Sequence, residues 1–149
     1  MRGDLCLDFN RVLCFVRERM HMPVSEGMRA IGLERDGALV AGVLFEGFNG
    51  QNIWMHVAAE PGGRWMSRRF LGACFRYPFV GLGARRASIH VAEGNAASHR
   101  LGLNLGFTEE ARLKGAAHDG GDLLLMVMWR EQCRFLGERY GQGIQRTSA

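Results

Sequence analysis

The sequence predicts an α+β domain with a mixed, mostly antiparallel central sheet flanked by helices. Three observations predict it. An amphipathic helical stretch near the N-terminus is followed by three apolar runs separated by Asp36-Gly37 and Asn49-Gly50, a pattern of antiparallel hairpins. One alternating strand then lies between two helical stretches, and a last pair of apolar runs closes the chain. At 149 residues the chain suits a single domain spanning 1–149, long enough to bury a core without staples.

Residues 8–22 read as a helix, because Phe9, Val12, Leu13, Val16 and Met20 recur at helical spacing opposite Arg11, Arg17, Glu18 and Arg19. Asp8 can cap its start and Pro23 marks its end. Residues 28–33, 39–45 and 53–58 read as a three-stranded meander. The middle strand is apolar almost throughout, which predicts burial on both faces. Pro61-Gly62-Gly63 breaks the pattern, and residues 65–79 read as a helix carrying Phe70, Leu71, Cys74, Phe75 and Phe79 on its apolar side. Residues 86–92 alternate as a strand, and 95–105 form a short helix ending at Gly106, a C-cap residue. Residues 108–113 and 122–129 are the final strands, joined by a Gly- and Ala-rich loop at 114–121. The polar, aperiodic stretch 137–149 predicts a loose tail.

The net charge is +4, and Lys114 is the only lysine, so nearly all of the basic charge is arginine. Acidic residues are interspersed and no basic run occurs, which disfavours nucleic acid as a partner. Cys6, Cys14, Cys74 and Cys133 form no C-x-x-C pair and no zinc-like spacing with histidine. They read as reduced, packing cysteines, so a cytoplasmic location without a bound metal is expected. The first residues lack an apolar signal segment, and no apolar run approaches the roughly 20 residues of a membrane helix.

Two motifs carry chemistry. The strand–loop–helix around Val57, Gly62, Gly63, Arg64, Trp65, Met66, Ser67 and Arg68 feeds a glycine-containing loop into a helix N-terminus, which presents free backbone N–H groups to an anion. Asn95-x-x-Ser98-x-x-Leu101, continuing to Leu105-Gly106-Phe107, reads by itself as a helix with an Asn N-cap and a Gly C-cap.

In this order and joined by one strand, the two motifs resemble the signatures of the GNAT family of N-acetyltransferases. The first runs from Val, through Arg or Gln, to Gly-x-Gly/Ala; Val57, Gly62, Trp65 and Ser67 take those positions. The second, Asn-x-x-Ser closing in Leu-Gly-Phe, is met by Asn95, Ser98 and Leu105-Gly106-Phe107. Tyr77-Pro78-Phe79, Leu82-Gly83 and Arg86 resemble a run in the branch that acetylates ribosomal-protein N-termini. The resemblance implies the acyl-CoA N-acyltransferase fold, here with a shortened N-terminal region and a first strand missing or minimal. It implies acetyl-CoA as co-substrate, no metal, an amine acceptor (a protein N-terminus, a lysine or a small amine) and compatibility with a homodimer. It also implies that Val57, Gly62, Gly63, Arg64, Trp65, Met66, Ser67, Arg68, Asn95 and Ser98 bind the coenzyme. The chain departs from the family at Gly62, Trp65 and Ser67, and at Gly102, where many members place a tyrosine acid.

Two residues are candidates for deprotonating the amine. His56 is the nearest titratable group, but alternation places it on the face opposite Val57, which favours a packed or surface histidine. Glu46 reads as a solvated strand end, and Gln51, where some family members carry a base, cannot titrate. Water-relayed deprotonation is the expected mechanism. The alternative is a catalytically silent acetyltransferase fold serving as a binding or assembly module, favoured by Trp65, Gly102 and Gln51.

Overall fold

The computed structural model describes residues 3–62 and 67–141. Gly63, Arg64, Trp65 and Met66 of the expected coenzyme loop lie outside the described residues, as does the tail at 142–149. The strands are β1 (Asp4–Cys6), β2 (Arg29–Arg35), β3 (Ala38–Glu46), β4 (Asn52–Ala59), β5 (Arg86–Ala92), β6 (Thr108–Leu113) and β7 (Leu123–Trp129). They form one seven-stranded sheet in the order β1-β2-β3-β4-β5-β7-β6. Every neighbouring pair is antiparallel except β4 and β5, which are parallel. The helices are α1 (Phe9–Arg17), α2 (Arg68–Arg76), α3 (Ala96–Leu105) and the short α4 (Glu138–Gly141). The mixed, mostly antiparallel sheet flanked by helices is the expected fold class, and the first strand is minimal at three residues.

Local chemistry sets the element ends. Asp8 caps α1 by accepting the Arg11 N–H at 3.3 Å. The helix stops at Arg17 rather than continuing to 22, because the N–H groups of Arg19 and Met20 both turn to the Val16 carbonyl. Asp36 (φ 53°) and Gly37 (φ 82°) make the tight β2–β3 turn, whose two positive φ values explain the Asp-Gly pair. Gly32 and Gly42 face each other across β2 and β3, and a Cβ at either would meet Val12 at 2.8 or 3.0 Å. Those two glycines leave the room in which α1 seats Val12 and Val16 against the sheet. The helix expected at 65–79 begins at Arg68, with Ser67 as its cap, and passes after Arg76 into a π-helical turn at Tyr77–Gly81. Pro78 withholds a backbone donor there.

Each face of the sheet has its own core. On one face α2 and α3 cover Ile31, Val43, Phe45, Ile53, Met55, Ile89 and Met126. On the other, α1 covers Ala30, Leu44 and Ala58 together with Met22 and Met28 of the α1–β2 connection. The tail expected from 137 is ordered at its start: Tyr140 packs edge-on against Phe135, and the Arg76 guanidinium donates to the Leu136 and Gly137 carbonyls. No described helix is long and apolar enough to cross a membrane. Cys6 and Cys74 are buried, Cys133 partly buried and Cys14 exposed, all as free thiols.

Candidate functional site

The site originates in a break in the sheet. The parallel strands β4 and β5 pair only at Asn52–Arg86, Ile53–Ala87 and Trp54–Ser88. The Gln51 carbonyl ties their start together by accepting the N–H groups of Arg85 and Arg86 at 2.8 and 3.1 Å. Beyond Trp54 and Ser88 the strands diverge, so the facing edges of residues 55–59 and 89–92 have no ladder partner in each other. Unpaired backbone edges inside a fold need hydrogen bonds from elsewhere, which an amide-bearing ligand can supply as a substitute strand.

A cleft occupies the divergence. Its outer chamber, of ≈ 330 Å³, is lined by Arg19, Met20, Val57, Gly62, Asn95 and Ser98 among others. Its inner chamber, of ≈ 40 Å³, is lined by Met20, His56, Val57, His90, Leu101 and Gly102 among others. Met20, Val57, Ser98 and Leu101 belong to both, so the two chambers are continuous. A water needs about 10–15 Å³ of such space, so the inner end takes a group of only a few heavy atoms.

Of the sequence candidates, Gly62 and Asn95 line the outer chamber, His56 lines the inner one, Val57 and Ser98 line both, and Ser67, Arg68 and Glu46 line neither. Gly62, at φ 110°, an angle that favours glycine, turns the chain at the outer mouth. Ser67 caps α2, its Oγ accepting the Phe70 N–H at 3.1 Å, and Arg68 is the exposed first residue of that helix. Asn95 caps α3 by accepting the Ser98 N–H at 3.0 Å while lining the outer chamber. The N-terminus of α3 therefore opens onto the cleft. Val57 runs along it on the α2–α3 side of β4.

His56 lies on the opposite face from Val57, as alternation requires, but that face is no solvent surface. Its Nε2 pairs with the Glu46 carboxylate, and the two side chains keep only 14% and 21% of their exposure. Glu46 is thus not the solvated strand end expected from the sequence. Its other oxygen accepts from Ser25 Oγ at 2.6 Å, so the α1–β2 connection reaches across the sheet to close over it. Burial pushes the Glu46 pKa up, but the Ser25 and His56 hydrogen bonds and the neighbouring imidazoles outweigh it, leaving the carboxyl below its usual 4.5.

Several residues were missed from the sequence. His90 on β5 stacks on Trp54 of β4, with ring centroids 4.4 Å apart, and burial, then His56, hold its pKa below the usual 6.5 while Glu46 opposes. Beneath it, Ser88 bonds Asn52, and Arg86 reaches Ser88 Oγ at 3.2 Å and Glu110 at 2.9 Å. Arg19 pairs with Glu60 beside the outer mouth. His21, between Met20 and Ser25 in the chain, stacks on His118 of the β6–β7 loop at 4.0 Å. The recoverable signal was the alternation of Trp54, His56 and Ser88, His90 on otherwise apolar strands. Among the described residues no cluster of His, Cys, Asp and Glu is arranged to hold a metal ion.

No protein-family model matches the sequence, and a search of curated proteins finds no match. Solved structures match in fold. A spermidine N-acetyltransferase SpeG chimera from Vibrio cholerae and hSSAT superposes with a TM-score of 0.70 at 14% identity, covering 92% of this chain and 100% of that one. Vibrio cholerae spermidine/spermine N-acetyltransferase SpeG in complex with manganese ions matches with a TM-score of 0.68 at 16% identity, over 86% of this chain and 92% of that one. A dodecameric spermidine N-acetyltransferase from Vibrio cholerae matches with a TM-score of 0.70 at 15% identity, over 87% and 95%. The chain has the acyl-CoA N-acyltransferase fold of these proteins.

Proposed function

We propose that this protein transfers an acetyl group from acetyl-CoA to a primary amine by direct attack. The observation that carries the reading is the cleft through the β4–β5 divergence, which runs from Gly62 and Asn95 to the His56–Glu46 pair. Its shape fits the coenzyme: a wide outer mouth at the N-terminus of α3 for the pyrophosphate, unpaired strand edges for the pantetheine amides, and an inner end sized for a small acyl group. Acetyl-CoA supplies an activated thioester when bound.

In this reading the loop that begins at Gly62, with Ser67, Arg68 and Asn95, holds the phosphates. The free edge of β4 around Val57 aligns the pantetheine and presents backbone N–H to the thioester carbonyl. His56 takes the proton from the attacking amine, and Glu46 holds the imidazole in place and stabilises the charge it gains. His56 lines the inner chamber, which favours it over the water relay expected from the sequence. The acceptor is a protein N-terminus, a lysine or a small amine such as the polyamines acetylated by the solved neighbours. The Tyr77-Pro78-Phe79 run does not choose among them: Phe79 is fully buried and Tyr77 packs edge-on against Phe45, so packing accounts for it.

Purified protein incubated with acetyl-CoA and a panel of amines, including spermidine and a peptide with a free α-amine, tests the reading through thiol release and mass spectrometry of the product. Acetylated amine, lost in His56→Ala, is the expected result. Coenzyme binding without transfer to any amine would instead support the binding or assembly module.

A further inference from the structure

An alkylammonium acceptor must lose two protons to become an amide, while the departing thiolate must gain one. One base at the inner end of the cleft can carry only part of that traffic. A second imidazole is there. His90 occupies the position on β5 that His56 occupies on β4: counted from the last paired residues, Trp54 and Ser88, each is two further along, at the mouth of the divergence. Both histidines line the inner chamber. So does Gly102, which offers no side chain to donate a proton.

We propose that His90 is a second catalytic residue, which takes the first proton from the acceptor ammonium and returns it to the departing sulfur. The inference rests on the acetyl-transfer reading above. The ammonium gives one proton to the neutral His90 ring and becomes an amine. The amine nitrogen attacks the thioester carbonyl carbon, so that a C–N bond forms and the carbonyl π pair moves to oxygen. The second nitrogen proton passes to His56. The carbonyl re-forms, the C–S bond breaks, and sulfur leaves with its electron pair and takes the proton held on His90. Ammonium and thioester have become amide and thiol, with one proton left on His56 to be released to water.

The surroundings of His90 suit the task. Trp54 fixes the plane of its ring by stacking, and on β7 its cross-strand partner is the apolar Leu125. The charged or titratable groups acting on it are His56 and Glu46. Partial burial and His56 favour the neutral ring, the form that accepts a proton, and the ring is a competent acid once protonated.

The test uses His90→Phe, which keeps a ring against Trp54 but has no nitrogen, and His90→Ala, which leaves a solvent-open gap (His90 is exposed) that imidazole can enter. Coenzyme A affinity serves as the check that each variant is folded. Thiol release with spermidine and with a short peptide should fall on the order of 10²-fold in kcat/KM for both variants. Added imidazole should raise the rate of His90→Ala and leave His90→Phe unchanged. A His90→Phe rate equal to wild type, or a folded His90→Ala that imidazole cannot rescue, overturns the role of His90 alone. Wild-type protein that binds coenzyme A and acetylates no amine overturns the transfer reading and this role with it.

Discussion

Replacing Glu46 by Gln keeps the shape of the pair at the inner end of the cleft and removes its charge. In the native site one carboxylate accepts from Ser25 Oγ at 2.6 Å and pairs through its other oxygen with His56. A glutamine retains one carbonyl oxygen and cannot serve both with charge assistance. A hydrogen bond to a charged group is worth about 1.5–3 kcal/mol and a neutral one about 0.5–1.5, so the charge-assisted part is about 1–1.5 kcal/mol. The carboxylate keeps 21% of its exposure, which screens the pair, so the effect is set at about 1 kcal/mol. If His56 is the base, Glu46→Gln should lower kcat/KM about fivefold. The same substitution has a signature in stability. The folded-state pKa of Glu46 lies below 4.5, so its carboxylate contributes stability above about pH 4.5 that is lost as pH falls through the folded value. The stability gap between wild type and Glu46→Gln should therefore be widest near pH 6 and shrink toward pH 3. Thiol-release kinetics measures the first quantity, and urea denaturation across that pH range the second. Unchanged kcat/KM with a pH-independent stability gap would refute the paired-base reasoning.

Other substitutions probe other parts of the site. Arg68→Ala, at the first residue of α2, should weaken coenzyme A binding about tenfold by calorimetry, and Arg100→Ala on α3 far less; equal losses would mean only general electrostatics. Gly102→Tyr should lower kcat/KM, because its Cβ would meet Ile89 at 3.1 Å and Met126 at 3.2 Å and the ring must displace those core side chains; a faster enzyme would show that the ring acts as the missing acid. Gly72→Ala puts a Cβ 1.9 Å from the Tyr140 carbonyl oxygen, so overpacking of about 1–3 kcal/mol should outweigh the roughly 1 kcal/mol helix-propensity gain. Its Tm should fall by a few degrees in calorimetry, and a rise would mean that α4 does not pack there.

The parts of the fold readable from the sequence are those governed by adjacent residues. Asp36-Gly37 specifies its turn because both positions need positive φ, and Asn95 with Gly106 bounds α3 through its own caps. The end of α1 was misplaced because Met20 follows the helical period yet lines the cleft instead. The divergence of β4 and β5 was hidden because it is an absence of pairing between distant residues, which no local pattern encodes. For the same reason Glu46 and His56 looked unrelated. They meet because the β3–β4 register sets Glu46 opposite Trp54, two residues from His56, on one face. His90 looked like an ordinary alternating polar residue until the parallel pairing set it beside Trp54.

The central claim is that the divergence between β4 and β5 is the coenzyme site. Titration calorimetry of coenzyme A into the wild type and into Leu101→Trp tests it most directly, since Leu101 lines both chambers. Saturable binding to the wild type and its loss in Leu101→Trp, with the fold retained, are expected. Absence of binding to the wild type at millimolar coenzyme A, or equal affinity in the two proteins, would contradict it.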